Sequence, residues 1–141
     1  RAVAKLGFGL YAARSYLRTR GRPTAKDGRG HALIAMSEDV GDVARDWLRS
    51  LLPGASTVAR TNGRDAMLSL ALEGVGLACL ARVVGDRHAE LERLPLSLPP
   101  PVPTLWMGMH SDARSTPRVR VVAAHLARRL KQMQPSLCPS G

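Results

Sequence analysis

The sequence predicts an α/β domain with a mainly parallel, doubly wound sheet. Short apolar runs typical of buried strands alternate with stretches in which apolar residues recur every three or four positions, as on one face of a helix. Glycine and proline mark short loops between these stretches. Strands that alternate with helices across short loops favour parallel pairing. The length of 141 residues allows one domain, or one domain with part of a second.

The first 80 residues supply the alternating elements. In order, they are a strand over 7–12, a helix over 13–20, a strand over 31–37, a helix over 40–52, a strand over 56–60, a helix over 63–73 and a strand over 77–80. Asp39 is the expected N-cap of the second helix, which Pro53 ends. Asn62 is the expected N-cap of the third helix, with Asp65 in the capping-box position and Gly74 at the C-terminal end.

The chain changes character after residue 93. Five prolines within 94–103 exclude a central strand there and predict an extended connector. A strand over 105–110 follows, and Thr116 with Pro117 opens a long helix. The apolar residues of this helix form one stripe, which consists of Val119, Val122, Ala123, Leu126, Leu130 and Met133. One strand and one helix cannot close a core, so we expect this segment to dock on another chain or on a part of the protein outside this sequence.

The net charge of +10 lies at the two ends of the chain. Residues 1–30 carry a net +7, residues 31–113 a net −3 and residues 114–141 a net +6. With aromatic residues at 4%, this pattern differs from the single basic face and stacking aromatics of a typical nucleic-acid-binding domain. No apolar run approaches the roughly 18 residues of a membrane span. The sequence therefore disfavours a DNA-binding module and a membrane protein.

Signatures of catalysis and of metal binding are missing from the sequence. It contains no nucleophile elbow, P-loop, HExxH motif or dinucleotide-binding GxGxxG. Cys79 and Cys138 have no companion Cys or His at metal spacing, and we expect one buried thiol and one in a loose tail. Free thiols fit a reducing cytoplasm. The chain is predicted to have no catalytic residue, no metal and no cofactor.

Three places combine polar groups with a helix N-terminus that follows a strand. They are residues 12–15, 37–39 and 62–64. In an open parallel sheet, ligands bind beyond the carboxyl ends of the strands, where helix N-termini point free amides. Hydroxyl, amide and guanidinium groups at these places suit a small organic ligand, including an anionic one. The alternative is that all three places are ordinary helix caps, and the residues alone do not decide between the two.

Four segments occur in an order and spacing that match a known family. They are LYAARSYL at 10–17, GRP at 21–23 with Asp27, His31 and Ile34 beyond it, NGRDAMLSLALEGVGLACL at 62–80, and LWMGMHSDARSTPRVRVVAAHL at 105–126. Each is weakly specific alone, but together they span nearly the whole chain. The ordered set resembles the effector-binding domain of LysR-type transcriptional regulators, whose patterns include LYASPAYL and a closing LWL with H-x-D-x-R-x-x-P-R-V-R.

The resemblance implies the fold of type 2 periplasmic binding proteins, in which two α/β subdomains are joined by two crossing strands. Residues 1–7 are then a hinge segment, 8–98 the complete second, effector-binding subdomain, and 99–103 the return crossing. Residues 104–132 supply the C-terminal strand and helix of the first subdomain, and 133–141 are a disordered tail. The rest of the first subdomain and the winged helix-turn-helix that reads DNA are expected upstream of this sequence, which does not begin with Met.

The resemblance also implies binding without chemistry. A small effector between the subdomains would favour one of two conformations and, in a full-length dimer or tetramer in the cytoplasm, control DNA binding by the separate N-terminal domain. The expected effector contacts are Ser37, Glu38, Asn62, Gly63, Arg64 and Tyr11. Ala13 and Arg14 stand where the family favours Ser-Pro, so Arg14 would cover the cleft in place of a backbone contact with an anion. Alternatives are a solute-binding or enzyme domain on the same bilobed fold and a basic nucleic-acid-binding module.

Overall fold

The computed structural model describes residues 1–23, 27–39, 42–95 and 97–140. The chain divides into two compact units. Unit 1 consists of Arg1–Gly7 and Val102–Gly141, and unit 2 consists of Phe8–Pro101. Each unit is described by itself below.

The elements follow one another in an order close to the predicted one. They are β1 (Ala2–Lys5), β2 (Phe8–Ala13), α1 (Arg14–Arg20), β3 (Ala32–Met36), α2 (Val43–Leu51), β4 (Ser56–Thr61), α3 (Arg64–Leu72), β5 (Leu77–Ala81), α4 (Arg82–Gly85), β6 (Leu91–Arg93), β7 (Thr104–Trp106), a 3₁₀ turn (Ser111–Ser115), α5 (Pro117–Gln132) and α6 (Gln134–Leu137). The start of the second predicted helix, at residues 40 and 41, lies outside the described residues.

Unit 2 is built on a five-stranded sheet with the order β4-β3-β5-β2-β6. β3 pairs in parallel with β4 and with β5, whereas β2 is antiparallel to both β5 and β6. The α/β class is confirmed, but the expectation of a mainly parallel sheet holds only for β3, β4 and β5. The sequence missed the direction of β2 because a strand buried on both faces has the same apolar pattern in either direction.

The core of unit 2 lies around the three central strands β2, β3 and β5. Every residue of β2 and β3 is buried, as are the first four residues of β5. α3 packs against these strands through Met67 and Ala71, which are fully buried. Burial on both faces of a sheet accounts for the nearly continuous apolar character of these strands.

Two of the predicted helix caps are wrong by a few residues. α2 begins at Val43, and its cap is Asp42, whose carboxylate accepts a hydrogen bond from the Ala44 amide at 3.3 Å. Asp39 is exposed in the preceding turn. The N-cap of α3 is Gly63, and no side chain of a described residue caps this helix with a hydrogen bond. Asn62 lies one residue before the cap. Asp39 and Asp42 are both good capping residue types, so composition could not select between them for α2.

Unit 1 pairs β1 with β7 in an antiparallel ribbon, with Ala2 opposite Trp106. The strand that was predicted over 105–110 is observed only at Thr104–Trp106. α5 packs against β1 and buries Ala123 and Ala127, while Val122 and Leu126 of its apolar stripe are 58% and 49% exposed. An apolar groove lined by Met107, Met109, Val119, Val122 and Leu126 is thus open to solvent.

The C-terminal segment is more ordered than the sequence predicts. Residues 133–141 were expected to be disordered, but α6 forms within them and buries Leu137. The Leu137 carbonyl accepts a hydrogen bond from the Gly7 amide at 2.8 Å, and the Gln134 side chain accepts one from the Lys5 amide at 2.7 Å. These partners are about 130 residues away in sequence, so a local pattern could not predict the order they impose. In the part of the chain that the structure describes, no helix is long and apolar enough to cross a membrane.

Candidate functional site

The carboxyl ends of β3 and β4 lie side by side at one edge of the unit 2 sheet. Met36 is paired with Thr61, and the Ser37 amide donates to the Thr61 carbonyl at 2.7 Å. The two chain segments then lead into α2 and α3, so the starts of both helices follow from this edge. The arrangement agrees with the general location of ligands in α/β sheets, beyond the carboxyl ends of parallel strands.

An ion pair with a buried acid joins the starts of these two helices. The Arg64 guanidinium, at the first residue of α3, contacts the Asp42 carboxylate at 2.8 Å. The same carboxylate oxygen accepts the capping hydrogen bond from Ala44. The Asp42 side chain is 2% exposed and the Arg64 side chain 44% exposed, so the acid is shielded while the base reaches solvent. One oxygen of Asp42 therefore holds α2 and α3 together.

Arg64 also lies over the ring of Phe8, with its guanidinium carbon 5.5 Å from the ring centroid. Phe8 is buried at the start of β2 and is paired with Ala81 at the end of β5. Because β2 runs opposite to β5, this end of β2 lies at the same edge as the carboxyl ends of β3 and β4. The contact has the geometry of a cation–π interaction and gives Arg64 a second fixed neighbour.

Three of the predicted effector contacts surround this edge with unused polar groups. The Ser37 hydroxyl and the Asn62 amide make no hydrogen bond within the described part of the chain. Gly63 precedes the free amides of the first turn of α3, and a Cβ built on it would meet nothing within 4 Å. We call the group formed by Ser37, Glu38, Asp42, Thr61, Asn62, Gly63 and Arg64 the strand-end site.

The arginines near the strand-end site already have oxygen partners in the protein. Arg45 donates to the Ser37 carbonyl at 3.4 Å, Arg60 pairs with the exposed Glu38 at 3.5 Å, and Arg64 pairs with Asp42. A ligand at this edge would therefore meet amide and hydroxyl groups and compensated charges. This arrangement is suited to hydrogen bonding.

Tyr11 lies apart from the other predicted contacts. It is 1% exposed, and its hydroxyl donates to Asp86 at 2.6 Å. Burial, with the hydrogen bond to Asp86 as a second cause, raises the pKa of Tyr11 well above its usual range. Gly85 of α4 lies against the ring. The phenol is thus already bound within the fold.

The expectation that residues 12–15 share an edge with the other two places is wrong. Pairing of Phe8 with Ala81 brings the start of β2 to the end of β5, which leaves Ala13 at the opposite edge of the sheet. Arg14 there donates to the Ala89 carbonyl at 2.9 Å and lies 3.6 Å from Glu92. The antiparallel direction of β2 therefore reduces three predicted strand ends to two.

Sequence reasoning missed Asp42, Thr61 and Phe8 as members of this edge. The Thr61 hydroxyl donates to the Gly63 carbonyl at 2.9 Å and so fixes the turn before α3. Asp42 and Asp39 are both capping residue types near the start of this apolar helix, so the sequence alone did not select Asp42. Phe8 could not be found, because its role depends on the direction of β2.

Across residues 1–23, 27–39, 42–95 and 97–140, no group of three or more His, Cys, Asp and Glu side chains is placed to hold a metal ion. Cys79, on the neighbouring strand β5, is 1% exposed. Burial, reinforced by the negative charge of Asp42, raises the pKa of the Cys79 thiol to about 12. A thiol in that state is a poor nucleophile.

Comparison with known families agrees with the fold. The family model of the LysR substrate binding domain matches residues 1–131. The chain therefore belongs to the family of LysR substrate-binding domains. A search of curated protein sequences finds no match.

Several solved structures have a similar fold. The regulatory domain of CrgA from Neisseria meningitidis matches with 22% identity and a TM-score of 0.66 over 92% of this chain and 67% of that chain. The C-terminal domains of a LysR family protein from Agrobacterium tumefaciens match with 15% identity and a TM-score of 0.69 over 99% of this chain and 68% of that chain. The effector-binding domain of QuiR, in complex with shikimate, matches with 15% identity and a TM-score of 0.63 over 93% of this chain and 64% of that chain.

The chain is shorter than these relatives. It spans about two thirds of the regulatory domains and 47% of a longer CrgA structure, which it matches with a TM-score of 0.67 and 21% identity. The likeness confirms the predicted fold of LysR regulatory domains, that of type 2 periplasmic binding proteins.

Proposed function

We propose that this chain is part of the small-molecule sensor of a LysR-type transcriptional regulator, and that unit 2 supplies one side of its effector site. The observation that carries the proposal is the strand-end site, where two neighbouring strands end beside two helix starts and present unused hydrogen-bonding groups. Family membership over residues 1–131 supports the same function. The rival functions, a solute-binding or enzyme domain and a nucleic-acid-binding module, have no comparable support.

The proposed effector contacts are Ser37, Glu38, Asn62 and Gly63, with Arg64 behind them. Their free groups are a hydroxyl, a side-chain amide and the first amides of α3, most of which donate hydrogen bonds to oxygen. An uncompensated cationic pocket is not formed, because Arg60 and Arg64 are paired. We therefore propose a small, oxygen-rich organic effector, such as a hydroxylated carboxylate, which accepts several hydrogen bonds from neutral donors.

The wider assembly follows from the family. We propose that residues 8–98 are the effector-binding subdomain, that 1–7 and 99–103 are the crossing segments, and that 104–132 belong to the other subdomain. In the full-length protein, effector binding would favour one conformation of a dimer or tetramer and so change DNA binding by a separate N-terminal domain. Such control requires unequal affinity for two conformations. The protein would act in the cytoplasm as a binding protein, with neither catalysis nor a cofactor.

The experiment is a titration of the ¹⁵N-labelled chain followed by amide chemical shifts and calorimetry. Shikimate, which is bound by QuiR, is the first probe, and glucose is a neutral polyhydroxy counterpart that lacks the carboxylate. We expect saturable shifts at Ser37, Gly63 and Asp65, and weaker binding in Ser37→Ala and Asn62→Ala. A further panel of metabolites follows if neither probe binds.

The matched control is Ser50→Ala, which removes an exposed hydroxyl from the far end of α2. It should leave the affinity unchanged. If the affinity of a bound metabolite is the same in Ser37→Ala, Asn62→Ala and the control, the strand-end site is not the effector site. Binding of the chain to duplex DNA of specific sequence in moderate salt would favour the rival nucleic-acid function, with an affinity that falls steeply as salt rises.

A further inference from the structure

A closed circuit of hydrogen bonds connects the four segments that meet at the strand-end site. From β3 to β4, the Ser37 amide donates to the Thr61 carbonyl at 2.7 Å. From β4 to α3, the Thr61 hydroxyl donates to the Gly63 carbonyl at 2.9 Å. From α2 back to β3, the Arg45 guanidinium donates to the Ser37 carbonyl at 3.4 Å.

The remaining connection, from α3 to α2, is the ion pair of Arg64 with Asp42. It differs from the other three because both of its partners are charged and because its acid is shielded from solvent. The oxygen of Asp42 that takes Arg64 also takes the Ala44 amide, so one atom sets the start of α2 against the start of α3. A charge-assisted hydrogen bond in a shielded place is stronger and more directional than an exposed one.

Arg64 is held from a second direction by the Phe8 ring, at 5.5 Å. Its guanidinium therefore lies between an aromatic face and a buried carboxylate. A ligand that drew the Arg64 guanidinium away from these two partners would leave the Asp42 charge without compensation. Leaving a buried acid unpaired is unfavourable. The geometry is that of a group that supports the site.

We propose that Asp42 and Arg64 form a positioning pair, which fixes the strand-end site so that Ser37, Asn62 and the first amides of α3 converge on the effector, and that Arg64 does not itself bind the effector. This inference rests on the proposed function of the site. It revises the expectation that Arg64 is an effector contact. A positioning role and a direct contact predict opposite effects of Asp42→Asn on the affinity for a carboxylate ligand.

The first experiment needs no ligand. Hydrogen exchange is measured on the full chain and on Asp42→Asn, Arg64→Gln and Arg64→Lys, at the amides of Ser37 and Met67, which are hydrogen-bonded at the two sides of the site. A positioning pair predicts about tenfold faster exchange at both amides in Asp42→Asn and Arg64→Gln. Arg64→Lys, which keeps a charged donor for Asp42, should restore most of the protection.

The Leu94 amide, which donates to the Leu10 carbonyl at 2.8 Å away from the site, reports on global opening. Its exchange should not change. Arg29→Gln is the control variant, since it removes an exposed arginine paired with Asp27 in the same unit. If Ser37 and Met67 keep their wild-type exchange in Arg64→Gln, or if Leu94 accelerates to the same extent, the pair does not position this site.

The second experiment measures the affinity of shikimate for the wild-type chain, Asp42→Asn and Arg64→Gln. A positioning pair predicts about tenfold weaker binding in both Asp42→Asn and Arg64→Gln, a loss of about 1.4 kcal/mol. A direct contact predicts the reverse for Asp42→Asn, because that change frees the guanidinium for a ligand carboxylate. Tighter binding of shikimate by Asp42→Asn would overturn the proposal.

The two experiments separate this inference from the proposed function. If no metabolite binds at the strand-end site, the proposed function fails, and the exchange measurement still decides whether Asp42 and Arg64 hold the site together. If an effector binds, but neither the exchange rates nor the affinity changes in the Asp42 and Arg64 variants, the proposed function stands and the positioning role is wrong.

Discussion

Gly85 of α4 packs directly on the phenol ring of Tyr11, so that a Cβ at residue 85 would lie 2.6 Å from the Cε1 atom of the ring. The ring cannot retreat easily, because Tyr11 is 1% exposed and its hydroxyl is bound to Asp86. The close approach allows α4 to lie against β2. It also explains why Tyr11, an expected effector contact, is occupied within the fold.

Gly85→Ala should destabilise the chain. The added methyl group overlaps the Tyr11 ring, and overpacking of a core typically costs about 1–3 kcal/mol, more than the roughly 1 kcal/mol that alanine gains over glycine in a helix. Urea unfolding followed by circular dichroism measures the change. Gly108→Ala is the control, because a Cβ there meets nothing within 4 Å. Equal stability of the two variants would contradict the close packing.

The two cysteines should differ strongly in reactivity. Burial raises the pKa of Cys79 to about 12, whereas the side chain of Cys138 is partly exposed. Iodoacetamide at about pH 8 should therefore modify Cys138 in the folded chain and reach Cys79 only after unfolding, since the thiolate is the reactive form. Mass spectrometry of the peptides measures both. Cys138→Ser provides a chain in which no rapid labelling should remain, and rapid modification of that variant would count against a buried Cys79.

Acidification should weaken the fold through His31. The Tyr16 hydroxyl accepts the Ala32 amide at 2.9 Å, which leaves its proton for Nδ1 of His31 at 3.1 Å. With the hydroxyl as the donor, that bond requires an unprotonated Nδ1. Burial, and then the charge of Arg20, lowers the pKa of His31 below 6.5. The unfolded chain thus binds a proton first, so the stability contributed by His31 is present above about pH 6.5 and is lost as the pH falls through the lower folded value.

The measurement is the urea midpoint between about pH 7.5 and pH 5, on either side of the histidine titration. His31→Gln should show a smaller decrease than the wild type over this range. His125→Gln, on the exposed side of α5, is the matched control and should behave as the wild type. A decrease of the same size in all three proteins would mean that other groups cause the acid sensitivity.

The apolar face of α5 should make the isolated chain self-associate. Val122 and Leu126 are 58% and 49% exposed on one helix face, and a contiguous apolar patch of this kind favours association. Each of the changes Val122→Glu and Leu126→Glu should weaken association roughly tenfold, since burial of such a side chain contributes about 1.5–3 kcal/mol. Sedimentation velocity measures the distribution of masses.

Val58→Glu serves as the control for this face, because Val58 is 55% exposed but lies on β4 of unit 2. It should not alter association. A wild-type chain that sediments as a single 15.2 kDa species and melts cooperatively would refute the prediction.

The positions of most helices and strands could be predicted because local patterns determine them. The apolar runs that became β3 and β5 were placed within one or two residues, and the glycines with positive φ at 21 and 74 end α1 and α3 as expected. The resemblance to LysR regulators rests on ordered motifs, which the sequence alone displays. Predictions failed where partners are distant in sequence, as for Leu137 with Gly7.

Local sequence patterns could predict only part of the candidate site. Ser37 and Gly63 were found because strand ends and helix starts can be read locally. Asp42 and Asp39 carried the same capping signal, and only the packing of α2 chose between them. Phe8 lies at the site and Tyr11 lies apart from it, because the direction of β2 decides which end of that strand reaches the site.

The sequence by itself thus determined the α/β class, the family and the two strand ends that carry the candidate site, since these depend on local residue periodicity and on motif order. The tertiary structure alone decided the antiparallel course of β2, the pairing of Asp42 with Arg64 and the order of the C-terminal segment. The physical reason is that each of these depends on contacts between residues that are distant in the chain and meet only when the sheet and helices pack.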